Sequence, residues 1–237
     1  MFTVLPRIPG ENNRNYSYRV IKNAIMSLEL KPGQAISEIE LAEALNISRT
    51  PIREILAKLK EEHLVEVIPQ VGTYVSKINP KLIEEAVFAR ITLEREVLKL
   101  ACQTFPEELL FELKKNIALQ KALLGQEEKE REFHKLDTEF HSIIFKGNNK
   151  ENVWDAITRL STHYNRTRLL FEMEHDFRTA VEQHENIIKI IENKEMDKVE
   201  DAIQKHIIEP IKLWENLYDE NSPYAQWFDR KHKMPAF

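Results

Sequence analysis

Glycine is scarce in this chain, 5 of 237 residues, and prolines number 10. Sheet-rich folds use both residues at tight turns, so the scarcity argues against many strands and for a mainly helical protein. The single cysteine, Cys102, excludes an intramolecular disulfide and fits a reducing compartment. It stands in the apolar helical stretch LKLACQTF, where a small buried thiol is expected. No run of about 18 apolar residues is available to span a membrane, and MFTVLPRIPG lacks the apolar segment of a secretory signal. A cytoplasmic protein without a membrane partner is expected. Net positive charge is also missing: the formal charge is −5. That average hides a division, because the first 79 residues are nearly balanced and the acidic excess lies entirely beyond them. The first part is free to approach a phosphate backbone.

What is present is 42% hydrophobic residues, enough for one large core or two small ones. Residues 16–30 space Val20, Ile21, Ala24, Ile25 and Leu28 as one helical face. KPGQ at 31–34 reads as a turn, and a short helix follows over 38–45, punctuated by Asn46. Ser48 is expected as the N-cap of a helix over 49–62, with Pro51 in its first turn, where a missing N–H costs nothing. LVEVIPQVGTYVSKI (64–78) alternates apolar and polar residues about a turn and predicts a two-stranded hairpin. Beyond Asn79 the pattern is helical, in segments near 81–103, 107–124, 128–146, 151–174, 177–193 and 196–218. The expected architecture is therefore a compact unit over 1–78 and an all-α antiparallel bundle over 79–220. The tail over 221–237 has no assigned role.

Two helices joined by a tight turn, the second polar and basic at its start, suit a helix-turn-helix whose second helix lies in the DNA major groove. Ser48, Arg49, Thr50 and Arg53 stand where base edges and phosphates would be met: arginine suits guanine, and the hydroxyls and free N–H groups suit phosphate oxygens. The hairpin tip Gln70–Thr73 would reach the backbone or the minor groove. The wording LAEALNISRTPIREIL…GTYVSKI closely resembles the winged helix-turn-helix of GntR-type bacterial transcription regulators over about residues 16–78. That resemblance implies DNA contacts by Ser48, Arg49, Thr50 and Arg53 and by the wing residues Gly72 and Thr73. One departure is His63, where the family usually has Gly at the end of the recognition helix, a place that favours a left-handed residue.

In the second part, KLDTEFHSII places Asp137 and His141 one helical turn apart on the flank of an apolar arc. His184 and His206 each stand at the centre of an apolar face, where an imidazole needs a buried partner. Should the four converge, three imidazoles and a carboxylate suit a divalent transition metal such as zinc, nickel or manganese. Ordinary hydrogen-bonded core residues remain the alternative at this level.

The R…LE opening helix (Arg90, Leu93, Glu94), the D-x-x-x-H helix and the H…D…A…H-I ending resemble the FCD effector domain of the FadR subfamily. The resemblance implies a metal held by Asp137, His141, His184 and His206, and a small organic or sugar acid as effector. Arg90 matches the family's opening-helix arginine and is a candidate effector contact; an ion pair with Glu94 explains it equally. Arg166, which shares a helix face with Arg159 and His163, is a second candidate, and a solvated polar stripe accounts for it as well. A homodimeric repressor on a palindromic operator is the expected function. The rivals are a metal-dependent hydrolase or lyase with an accessory N-terminal unit, and a DNA-binding regulator whose polar core is purely structural.

Overall fold

The computed structural model describes residues 2–235. Among them a hydrophobic core forms from residues between Tyr16 and Val75, a larger one is dominated by residues from Ile78 to Phe228, and a small third cluster joins Leu123, Phe133, Phe177 and Val181.

Helix α1 (Asn13–Met26) starts where the Asn12 side chain accepts from the Asn15 N–H, and buries Val20, Ile21, Ala24 and Ile25. The KPGQ turn follows, with Gly33 at φ +82°. Helix α2 (Glu38–Leu45) is capped by Ser37 and ends at Asn46 in the left-handed region, which turns the chain into α3 (Arg49–Glu61). Ile52, Ile55, Leu56 and Leu59 face the core, which leaves Arg49 and Arg53 outside. Ser48 has the extended backbone of an N-cap, but its side chain makes no capping hydrogen bond. The hairpin of β2 (Val65–Ile68) and β3 (Gly72–Val75) forms as expected. A short strand β1 (Ala35–Ile36) pairs antiparallel on the other edge of β3. Two residues carry no readable alternation, so β1 was invisible in the sequence.

The second unit holds α4 (Pro80–Gln103), α5 (Glu107–Leu123), α6 (Glu130–Gly147), α7 (Glu151–Leu160), α8 (Thr162–Glu174) and α9 (Arg178–Asn193). The expected helix over 151–174 is broken at the fully buried Ser161, which resets the helical phase between α7 and α8. The last expected helix is also interrupted. After α10 (Val199–Ile203) comes a π-helical turn, Gln204–Ile208, then α11 (Glu209–Leu213) and α12 (Glu215–Tyr218). Pro210 has no N–H to give the His206 carbonyl, so the ladder widens there, and His206 lies within the widened turn.

The tail returns to the junction between the units. The Ile78 N–H donates to the Trp227 carbonyl at 2.8 Å, the Asp229 N–H donates to the Ile78 carbonyl at 2.7 Å, and Phe228 is buried in the larger core. The opening turns of α8 hold the same junction. His163 Nε2–H donates to the His63 carbonyl at 3.0 Å, and His163 Nδ1 accepts from the Asn79 N–H at 3.0 Å. His63 takes the left-handed conformation expected at the end of α3, φ 57°.

Candidate metal centre and nucleic-acid face

Asp137 and His141 come from α6, His184 from α9 and His206 from the π turn. Each is at most 3% exposed, and one ligand-type atom from each lies within 4.8 Å of the others. His184 Nε2 is 3.1 Å from Asp137 Oδ1, and the Nε2 atoms of His141 and His206 are 3.0 Å apart.

The opposite face of each ring determines its tautomer. His141 Nδ1–H donates to Glu94 Oε2 at 2.9 Å, His184 Nδ1–H to Gln120 Oε1 at 2.8 Å and His206 Nδ1–H to Gln183 Oε1 at 3.1 Å. The amide orientations are themselves anchored on backbone carbonyls. Gln183 Nε2 donates to the Lys205 carbonyl, while Gln120 Nε2 donates to Asn116 Oδ1 and Asn116 Nδ2 to the Leu136 carbonyl. All three Nε2 atoms therefore present lone pairs to the shared point, an arrangement suited to a cation. His184 Nε2, although near Asp137, has no hydrogen-bond partner.

The electrostatics agree with this assignment. Burial pushes His184 down to about 4, against the upward pull of Asp137. Burial and the neighbouring imidazoles hold His206 well below its ordinary value. Burial alone would raise Asp137, but the Arg168 guanidinium and the histidines hold it well below the usual carboxylate range. Two neutral imidazoles beside an ionised carboxylate are the protonation states a transition metal requires.

Arg168 donates to Asp137 Oδ1 at 2.6 Å and to Glu172 Oε1 at 3.0 Å. It was missed in the sequence, where Arg166 had been the candidate. Arg166 is turned away from the cluster: Nη1 donates to the Ser76 carbonyl, Nη2 to His163 Nδ1 and Nε to the Thr162 carbonyl. The two arginines stand two residues apart on α8, about 200° around the helix, so only one of them can face the cluster. Arg168 did carry one signal, its i, i+4 spacing to Glu172. Of the two roles expected for Arg90, the structure shows the ion pair. Arg90 makes a buried ion pair with Glu94, Nε to Oε1 at 2.9 Å, and packs over Tyr164 and Trp154, while its Nη2 has no hydrogen-bond partner. Gln120 and Gln183, which orient two imidazoles, had no sequence signal.

Beside the cluster lies a cavity of about 410 Å³. Tyr164, Arg168, Glu172, Phe177, His206 and Trp214 are the buried part of its lining; Asp176, Glu209 and Leu213 are among the residues exposed at its rim.

On the other unit, Ser48, Arg49, Thr50 and Arg53 are exposed together at the start of α3. Arg49 and Arg53 both reach Glu38 Oε2 on α2, at 3.3 and 2.7 Å. Gly72 is exposed at the wing tip, and Thr73 beside it is half-buried and paired with Val67 and Ile36.

A winged helix-turn-helix joined to a helical bundle is the architecture of a DNA-binding regulator. The chain belongs to the gntR family of bacterial regulatory proteins: residues 17–75 match that family and residues 85–209 match the FCD domain. It is 28% identical to the HTH-type transcriptional repressor RspR of Escherichia coli strain K12, over 90% of this chain and 92% of that protein. It is 31% identical to an uncharacterized HTH-type transcriptional regulator in an unstable DNA locus of Streptomyces ambofaciens, over 84% of this chain and 83% of that one. The solved structure of E. coli McbR/YncC shares the fold, with a TM-score of 0.76 at 18% identity over 88% of this chain and 100% of that one. The chain is a DNA-binding transcription regulator, and the hydrolase or lyase reading falls with the family assignment.

Proposed function

We propose that this regulator is a homodimeric repressor that leaves a palindromic operator when a small carboxylate binds beside a metal held by Asp137, His141, His184 and His206. The observation that carries the reading is the buried His184 Nε2, which has no hydrogen-bond partner at a point where two further imidazole lone pairs and a carboxylate converge. This donor set fits zinc, nickel or manganese. When bound, such an ion supplies open Lewis-acidic positions for a carboxylate oxygen. The repressor sense is supported by the name of the RspR relative.

In this reading residues 1–78 read DNA, residues 79–220 sense the effector, and Trp227, Phe228 and Asp229 of the tail close the junction. Arg49 and Arg53 would contact base edges, with Ser48 and Thr50 on phosphate and Gly72 and Thr73 at the wing. The uncapped Ser48 hydroxyl is free for that role. Arg90 would serve the effector indirectly, through Glu94 and His141. Helix α8 is the coupling element: Arg168 meets Asp137 at the cluster, while His163 and Arg166, five and two residues earlier, hold the end of α3 and Ser76 just past the wing strand. An effector alters DNA affinity only so far as it prefers one placement of the winged unit over another. A cytoplasmic location follows from the function.

One observation favours a purely structural core: Arg168 already neutralises Asp137. Elemental analysis of protein purified without added metal, with thermal-shift screening of carboxylic acids with and without chelator, separates the two readings. Stoichiometric metal and chelator-sensitive shifts are expected; metal-free protein with no shift sinks the proposal.

A further inference from the structure

We infer that the effector is a monocarboxylate with an apolar body, in the size range of 3-phenylpropanoate or hexanoate, and not a sugar acid or a polyacid. This rests on the proposed carboxylate-sensing role and narrows it to a chemical class.

The cavity wall beside the cluster is formed largely by Phe171, Phe177, Pro210, Leu213 and Trp214. Several polar groups of its lining are committed to the protein itself, whereas the Tyr164 and Thr179 hydroxyls and the rim carboxylate of Glu209 face it without such a bond. Gln183 gives its oxygen to His206 and its nitrogen to the Lys205 carbonyl. Glu172 receives Arg168 on one oxygen and His134 on the other. His175 donates to the Phe171 carbonyl. A polyol entering this largely apolar space would find partners for only some of its hydroxyls, and each one left unpaired and desolvated costs affinity.

Charge narrows the class further. Arg168 is the guanidinium in the wall, and it is shared with Asp137 and Glu172. Glu172, Asp176 and Glu209 also line the cavity. One carboxylate can be placed against Arg168 and His206, whereas a second would meet like charge at the rim. Trp214 completes the apolar wall. It is 1% exposed, lines the cavity, and its Nε1–H has no acceptor in the protein.

The test uses full-length protein loaded with zinc and compares 3-phenylpropanoate, hexanoate, gluconate and citrate by calorimetry and thermal shift. The apolar monoacids are expected to bind at least about tenfold tighter than gluconate or citrate. Leu213→Asp, a change on an exposed rim residue, should weaken 3-phenylpropanoate, and Trp214→Phe should weaken it while preserving the apolar wall. Tighter binding of gluconate or citrate, or no binding by any of the four, overturns the inference. A parallel series with chelator distinguishes the two levels. Metal-dependent binding of gluconate alone would keep the sensing proposal and end this one. Metal-independent binding of 3-phenylpropanoate would keep the ligand class and end the metal-linked proposal.

Discussion

The Nε2 atoms of His141 and His206 face one another at 3.0 Å, while Nδ1 of each ring is already a donor, to Glu94 and to Gln183. Two buried lone pairs at that distance repel unless a cation or a proton lies between them. The network thus withholds the usual remedy, a ring flip or change of tautomer, because either would break a bond anchored elsewhere in the bundle.

Metal content tests the consequence. Protein purified without added metal should carry roughly one transition-metal ion per chain. His184→Ala and His206→Ala should lower that content sharply, while DNA binding without effector persists. Full metal content in both variants would remove the cluster from consideration.

The same histidines impose a pH dependence on the chelated protein. His184 is pushed down to about 4 in the fold, whereas an unfolded imidazole titrates near 6.5. The unfolded chain therefore takes up protons first, and stability falls as pH drops from about 6.5 towards 4, by at most roughly 1.4 kcal/mol per pH unit for one such histidine. His206 and His163, also lowered by burial, act in the same direction. Urea midpoints measured across this window should show the slope, and His184→Gln should make it shallower. An unchanged slope would mean that the ring is not held neutral.

Arg49→Ala should weaken operator binding by about 1–3 kcal/mol with the metal content unchanged. Glu38→Gln should act in the opposite direction, because Glu38 pairs with both Arg49 and Arg53 in the free protein. Gel-shift titrations at several salt concentrations would check both. Wild-type affinity in Arg49→Ala would mean that α3 is not the reading helix.

At the junction, His163→Ala would strand the Asn79 N–H, the His63 carbonyl and one Arg166 donor. Each buried group left unpaired costs about 1–3 kcal/mol. The expected result is a lower melting temperature with metal content intact, and an operator affinity that no longer responds fully to effector. Preserved effector response in a folded His163→Ala protein would remove α8 as the coupling element.

Much was legible from local patterns. The capped helices, the Asn46 turn and the wing follow from residue spacing and backbone preference, which act within a few residues. The convergence of Asp137, His141, His184 and His206 was only half legible. Each histidine showed that it needed a polar partner, but nothing in its own helix named which one. That Arg168 and not Arg166 faces Asp137 depends on which side of α8 packs against α6, which the residues of α8 alone do not state.

By itself, then, the sequence determined the two-part plan, the reading helix with Arg49 and Arg53 on its outer face, and a set of polar residues that could not be buried alone. Only the tertiary structure decided which lone pairs meet, that Arg168 and not Arg166 reaches Asp137, and that the tail returns to Ile78. Local propensities depend on neighbours along the chain. These contacts join residues 31 to 151 positions apart, and they exist only once packing has brought the helices together.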